Sequence, residues 1–148
     1  MRKIHIIGTV GVPACYGGFE TLVDNLLDDT RFDITVYCSS HTYKNSKIAN
    51  YKNAKLVYVP LNANGIQSVA YDMYSMMYAI LKKADVILVL GVSGCLFLPV
   101  IRRISNAKII TNIDGLEWRR DKWNSFAKSF LKKSEEFAVK YSDIVISD

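Results

Sequence analysis

The sequence predicts an α/β domain, a parallel sheet with helices on both faces. Strand-like and helix-like patterns alternate along the chain, and that alternation builds parallel sheets. Several strand patterns are almost wholly apolar, Val86-Ile-Leu-Val-Leu90 most clearly, as strands covered on both faces must be. Glycine-bearing turns follow the first and fourth of these strands, where such sheets collect their ligands.

In chain order, Lys3–Ile7 is the first strand and leads through a glycine-rich loop into an amphipathic helix over Phe19–Asp28. Asp33–Cys38 is the second strand. Ser39 to Ala54, rich in Asn, Lys and Ser, is read as a surface loop. Lys55–Val59 is a strand, Ile66–Lys83 a helix, and Val86–Leu90 the most apolar strand. Cys95–Ile104 reads as a helix, Lys108–Ile113 as a strand, Asn124–Tyr141 as a helix and Asp143–Ser147 as a final strand. There is no internal repeat and no low-complexity tract.

The 148 residues suit one domain with a real core. Hydrophobic residues make up 50% and charged residues 22%, which is the composition of a globular protein and not of a disordered one. No apolar run approaches the roughly 20 residues of a membrane span, and Ile4–Ile7 is too short for a signal-peptide core. Cys15, Cys38 and Cys95 lie far apart and make no metal-ligand spacing; reduced thiols are expected.

The richest stretch is Gly8-Thr-Val-Gly11-Val-Pro13-Ala-Cys-Tyr16-Gly17-Gly18-Phe19-Glu20-Thr21. Glycine lets a backbone approach a ligand closely, and the helix behind it offers free N–H groups to an anion. A dinucleotide fingerprint is excluded, because glycines at 8, 11, 17 and 18 do not make G-x-G-x-x-G and the second strand ends in Tyr37-Cys38-Ser39 without an acid. A P-loop is excluded too, since no G-K-[ST] follows. Gly91-Val-Ser-Gly94 and Asn112-Ile-Asp114-Gly115-Leu-Glu117-Trp118-Arg119-Arg120 also follow strands, so all three segments are expected on one edge of the sheet.

These residues carry a resemblance. Ile7-Gly8-Thr9, Gly11-Val-Pro13-Ala, Tyr16-Gly17-Gly18-Phe19-Glu20-Thr21, Val36-Tyr37-Cys38, Val86 to Val92 and Asn112 to Trp118 resemble bacterial rhamnosyltransferases of glycosyltransferase family 4, from end to end of the chain. The resemblance implies the Rossmann-like N-terminal, acceptor-side half of a GT-B glycosyltransferase, with 1–148 as a single domain and the nucleotide-sugar-binding domain outside this chain. It implies transfer of a deoxyhexose, L-rhamnose from dTDP-L-rhamnose, to a lipid-linked glycan in polysaccharide synthesis at the inner face of the plasma membrane. This domain alone is then expected to be inactive. No cofactor and no metal is expected. The expected partners are a donor-binding domain or subunit, the lipid-linked acceptor and an anionic membrane surface, with no nucleic acid. The alternative is a non-catalytic membrane-docking subunit of a split transferase.

Asp114 is the candidate catalytic contact, placed to orient an acceptor hydroxyl or to stabilise positive charge on the sugar ring; Asp-Gly is also a common turn pair. Gly17 and Gly18, with Phe19 and Glu20 opening the helix, are the candidate diphosphate contacts, and Gly91 and Gly115 are further substrate contacts. Trp118 suits stacking on a sugar face and Glu117 a hydroxyl contact, with Arg119 a further substrate contact; packing and a Glu117–Arg119 ion pair are the competing roles. Residues 119–133 hold six basic residues against the single acid Asp121, interleaved with Trp and Phe, a composition suited to an anionic membrane surface. The apolar face of the last long helix is expected at Phe126, Phe130, Phe137 and Tyr141. The Met- and Tyr-rich helix after Ile66 is read as core with partial exposure, and His5 as structural.

Overall fold

The computed structural model describes residues 2–13, 18–43, 47–63, 67–113 and 124–147. Its elements are β1 (Lys3–Ile7), α1 (Gly18–Leu26), β2 (Asp33–Ser39), β3 (Asn50–Tyr51), β4 (Ala54–Val59), α2 (Gln67–Leu81) and β5 (Val86–Leu90). A single 3-10 turn (Cys95–Phe97) then runs into α3 (Leu98–Ile104), followed by β6 (Lys108–Ile113), α4 (Ser125–Tyr141) and β7 (Ile144–Ser147). The sheet order is β3-β4-β2-β1-β5-β6-β7, and every pairing is parallel except that of β3 with β4. This is the α/β architecture the alternating patterns predict.

The stretch read as a loop before Ala54 contains one surprise. Asn50 and Tyr51 turn at Lys52, whose φ is 52°, and pair back onto Lys55 and Ala54 as an antiparallel edge strand. Two residues are too few for alternation to register, and their fixing comes from elsewhere. The Tyr51 hydroxyl donates to Asp24 on α1, and Lys52 forms ion pairs with Asp24 and with Asp28 just past the helix.

Strand order reverses between β1 and β5. From β1 the chain winds outward to β2; from β4 it crosses back through α2 to β5 and winds outward to β7. Right-handed crossovers then place α1 on one face and α2, α3 and α4 on the other. Two apolar layers result. Ile6, Val23, Leu27, Val36 and Cys38 pack beneath α1. Ile7, Tyr37, Tyr71, Met76, Val89, Cys95, Ile101, Ile109 and Ala138 fill the opposite layer. On α2 the stripe is split, with Tyr71 and Met76 fully buried and Met73, Tyr74 and Met77 partly exposed. His5 sits inside the second layer with Nδ1 2.8 Å from the Tyr37 hydroxyl, and burial pushes its pKa down to about 4.

The buried face of α4 differs from the one expected. Asn124 caps the helix by accepting from the Ala127 N–H at 2.8 Å. Leu131, Ser134 and Ala138 then face the sheet, with Phe130 and Tyr141 against the same layer. Phe126, expected on the apolar face, is 81% exposed. At 3.6 residues per turn it lies about a third of a turn off the Leu131–Ala138 stripe, and small Ser134 and Ala138 let the helix settle on that stripe instead.

On the other face, α1 packs over β1, β2 and β4, and β5, β6 and β7 extend beyond it, with Leu90 and Asn112 buried. Strand register sets Leu90, Asn112 and Ile146 side by side on this face, and Leu88, Ile110 and Ile144 one pleat below. Ile144 and Ile146 are exposed, as are Leu22 and Leu26 on α1.

Candidate functional site

The loop after β1 is held by contacts that glycine alone permits. Gly8 has φ 92°, and a methyl group there would stand 2.1 Å from the Leu90 carbonyl oxygen, so β1 and β5 abut backbone to backbone where strand order reverses. Gly11, at φ 137°, abuts the side chains of Cys38 and Tyr43, which a methyl group there would meet at 2.7–2.9 Å.

Glu20 closes the same loop from the helix side. Its carboxylate is buried and accepts from the Thr9 hydroxyl at 2.5 Å and from the Val10 N–H at 3.1 Å. It thereby ties the first turn of α1 to the end of β1. From the opposite face the Tyr71 hydroxyl reaches the Thr9 carbonyl at 2.7 Å and the Tyr37 carbonyl at 2.9 Å. The loop end is thus clamped through both layers, and the clamp aims the N-terminus of α1 at the crevice between β1 and β5. Gly18, at that terminus, is exposed, and a side chain there would meet only open space. Backbone N–H groups at such a terminus carry partial positive charge. Phe19 is half-buried and leans toward β5, its ring edge 3.9 Å from where a Gly91 side chain would begin.

The turn after β5 is built as tightly. Gly91 has φ 91° and donates its N–H to the Asn112 carbonyl at 2.9 Å, joining the ends of β5 and β6. A methyl group on Gly94 would collide with Asp72 of α2 at 2.5 Å. The Asp72 carboxyl accepts from the Gly94 N–H and is fully enclosed; burial pushes its pKa up to about 8. At neutral pH it is therefore chiefly a neutral acid beneath the turn. At the end of β6, Asn112 is 7% exposed, and its Oδ1 finds no hydrogen-bond partner among the described residues.

Of the residues singled out from sequence, Gly18, Phe19, Glu20 and Gly91 come together at this edge. Gly18 and Gly91 present backbone, Phe19 forms a wall between them, and the hydrogen bonds of Glu20 go to the loop. Gly17, Asp114, Gly115, Glu117, Trp118 and Arg119 lie outside the described residues. Sequence reading passed over Thr9, Tyr71, Asp72 and Asn112. Asp72 had a signal, as the only charged residue between Gln67 and Leu81; Asn112 had a fainter one, a polar residue near the end of an apolar strand. A separate cavity of about 330 Å³, lined by Ile80, Lys83, Asp85, Ile104 and Asn106 among others, lies at the amino ends of β5 and β6, away from this edge.

The model of one protein family, a domain of unknown function (DUF1972), matches residues 1–148. The chain belongs to that family. No curated protein matches this chain. Among solved structures it is similar to a sucrose-phosphate synthase from Thermosynechococcus elongatus, with a TM-score of 0.64 at 12% identity. The match covers all of the DUF1972 chain and 47% of that protein, so the domain spans about half its length. At this identity the likeness speaks for fold: the DUF1972 domain has the architecture of one half of a GT-B glycosyltransferase.

Proposed function

We propose that this chain is the acceptor-side domain of a glycosyltransferase. The observation that carries the reading is the start of α1 at the point where strand order reverses, with Gly18 exposed, open space where its side chain would stand, and Phe19 beside Gly91. Glycosyl transfer from a nucleotide sugar releases a diphosphate, and positively polarised N–H groups at a crevice stabilise such a leaving group. The similarity to a sucrose-phosphate synthase, itself a glycosyltransferase, supports the same class.

The finer reading comes from the family resemblance. The sugar is a deoxyhexose, L-rhamnose from dTDP-L-rhamnose, and the acceptor is a lipid-linked glycan in cell-surface polysaccharide synthesis. The donor is held chiefly by a second domain or subunit, without a cofactor or metal from this chain, and Asp114 orients the acceptor hydroxyl. Peripheral association with an anionic membrane is supported by α4, where exposed Phe126 shares one outward flank with Lys133, Phe137 and Lys140. The described residues contain no helix long and apolar enough to cross a membrane. The second reading is a non-catalytic subunit that docks a separate donor-binding chain at the membrane; the match to only 47% of the synthase keeps it in view.

Mass spectrometry of lipid-linked oligosaccharides in cells lacking the gene tests the proposal. A build-up of an intermediate one sugar short supports transfer and identifies both sugar and acceptor. An unchanged profile, with no redundant transferase present, overturns it.

A further inference from the structure

Resting on the acceptor-side reading, we infer that Asn112 determines acceptor specificity: its Oδ1 accepts a hydrogen bond from a hydroxyl of the saccharide. The argument begins with burial. Asn112 is 7% exposed, and its Oδ1 has no donor among the described residues. Buried polar atoms in folded proteins are almost always paired, because an unpaired one costs stability. An apolar residue of similar size would remove that cost, so an asparagine here calls for a partner from outside the fold.

Strand geometry says where that partner sits. Thr111 points into the α2–α4 layer, its hydroxyl 2.6 Å from the Ser142 hydroxyl. Side chains alternate along a strand, so Asn112 projects to the α1 face. Its register partners there are Leu90 and Ile146. Its own carbonyl holds the Gly91 N–H, and Gly91 abuts Phe19 at the first turn of α1. The carboxamide therefore lies on the α1 face, one strand out from the Gly91–Phe19 contact and buried beside Leu90. An unpaired acceptor on the face that also carries the polarised N–H groups of the α1 start fits a ligand that presents both a hydroxyl and negative charge. A saccharide meeting a nucleotide-sugar diphosphate supplies both.

The test uses the full chain and, as acceptor probes titrated one at a time, the methyl glycosides of glucose, galactose and N-acetylglucosamine, followed by nitrogen-edited proton NMR. In the wild type one of these glycosides is expected to shift the Gly18, Phe19 and Gly91 amides saturably. Asn112→Leu is expected to weaken that binding about ten-fold, the worth of one hydrogen bond, while raising the melting temperature by a few degrees. Asn112→Ala removes the same acceptor with less bulk and is expected to show the same loss of binding. A fall in melting temperature for Asn112→Leu, with glycoside binding kept in Asn112→Ala, makes the carboxamide a structural group and overturns the inference. Equal binding by wild type and both variants overturns it while leaving a saccharide site in place. No shift in the wild type also overturns it, and the lipid-glycan profile of the deletion strain then judges the transfer reading separately.

Discussion

The ends of β1 and of β5–β6 lie side by side on one edge of the sheet, yet they treat polar groups in opposite ways. Around β1 the buried groups pair with one another: Thr9 and the Val10 N–H with Glu20, the Thr9 carbonyl with Tyr71, and His5 with Tyr37. Around β5–β6 Thr111 pairs with Ser142, but two buried groups are left less than fully used. Asp72 is a buried acid resting on one backbone N–H, and Asn112 Oδ1 has no partner among the described residues. A closed network fixes a loop; an unfinished one leaves valence for something else. The first region is therefore scaffold at the start of α1, and the second is the one proposed to take a ligand's own groups.

The largest break in this contrast is expected from Gly8→Ala. The methyl group meets the Leu90 carbonyl oxygen at 2.1 Å and the φ of 92° is strained for alanine, so a loss on the order of 3–5 kcal/mol is expected in chemical denaturation. Survival of full stability would show that β1 and β5 part easily.

Next comes Glu20→Ala, which leaves the Thr9 hydroxyl and Val10 N–H buried without an acceptor and is expected to cost about 2–4 kcal/mol. Combining it with Thr9→Val closes a double-mutant cycle. If the two losses simply add, the pair is not coupled and the β1 region is not the clamp described.

The third test concerns titration. Asp72 binds a proton more tightly when folded, at about 8 against 3.8, so its contribution is full below pH 4 and is lost as pH rises toward 8. His5 is depressed from 6.5 to about 4, so its contribution is full above pH 6.5 and is lost as pH falls toward 4. Between pH 4 and 6.5 the two slopes oppose and largely cancel. From 6.5 to 8 Asp72 acts alone, at up to about 1.4 kcal/mol per pH unit. Asp72→Asn should flatten stability between pH 6.5 and 8 and uncover a His5-driven rise below it. An unchanged curve would mean that Asp72 is ionised in the native state.

Gly18→Ala should show the smallest effect on folding. Open space around the position and a helical setting predict no loss and a gain of up to about 1 kcal/mol. Its interest is the split it creates, with stability kept while transfer falls because a methyl group now intrudes on the α1 terminus. Wild-type transfer by this variant would remove Gly18 from the binding edge.

Much of the frame was legible in the chain because it rests on local chemistry. Val86–Leu90 is apolar enough to demand burial on both faces, and Gly8 and Gly91 mark the turns where backbones must meet. What escaped was set at long range. Nothing near Glu20 announces that its carboxylate turns back to Thr9, eleven residues earlier, and an acid in the first turn of a helix reads as a dipole partner. Asn112 reads as one polar residue in a strand until register places it beside Leu90 and Ile146. Phe126 carries the same apolar signal as Phe130 and Phe137 in its helix, yet the stripe that packs includes small residues, whose fit depends on the sheet beneath.

The two buried thiols give this molecule a pair of clocks. Cys38 lies in the layer beneath α1 and Cys95 in the layer beneath α2–α4, and burial pushes the Cys95 thiol far up from its usual range. Neither reacts with an alkylating reagent until its own layer parts, so labelling rates report local opening. With Cys15 replaced by serine, the ratio of the two rates tells whether the sheet sheds α1 or its other helices first.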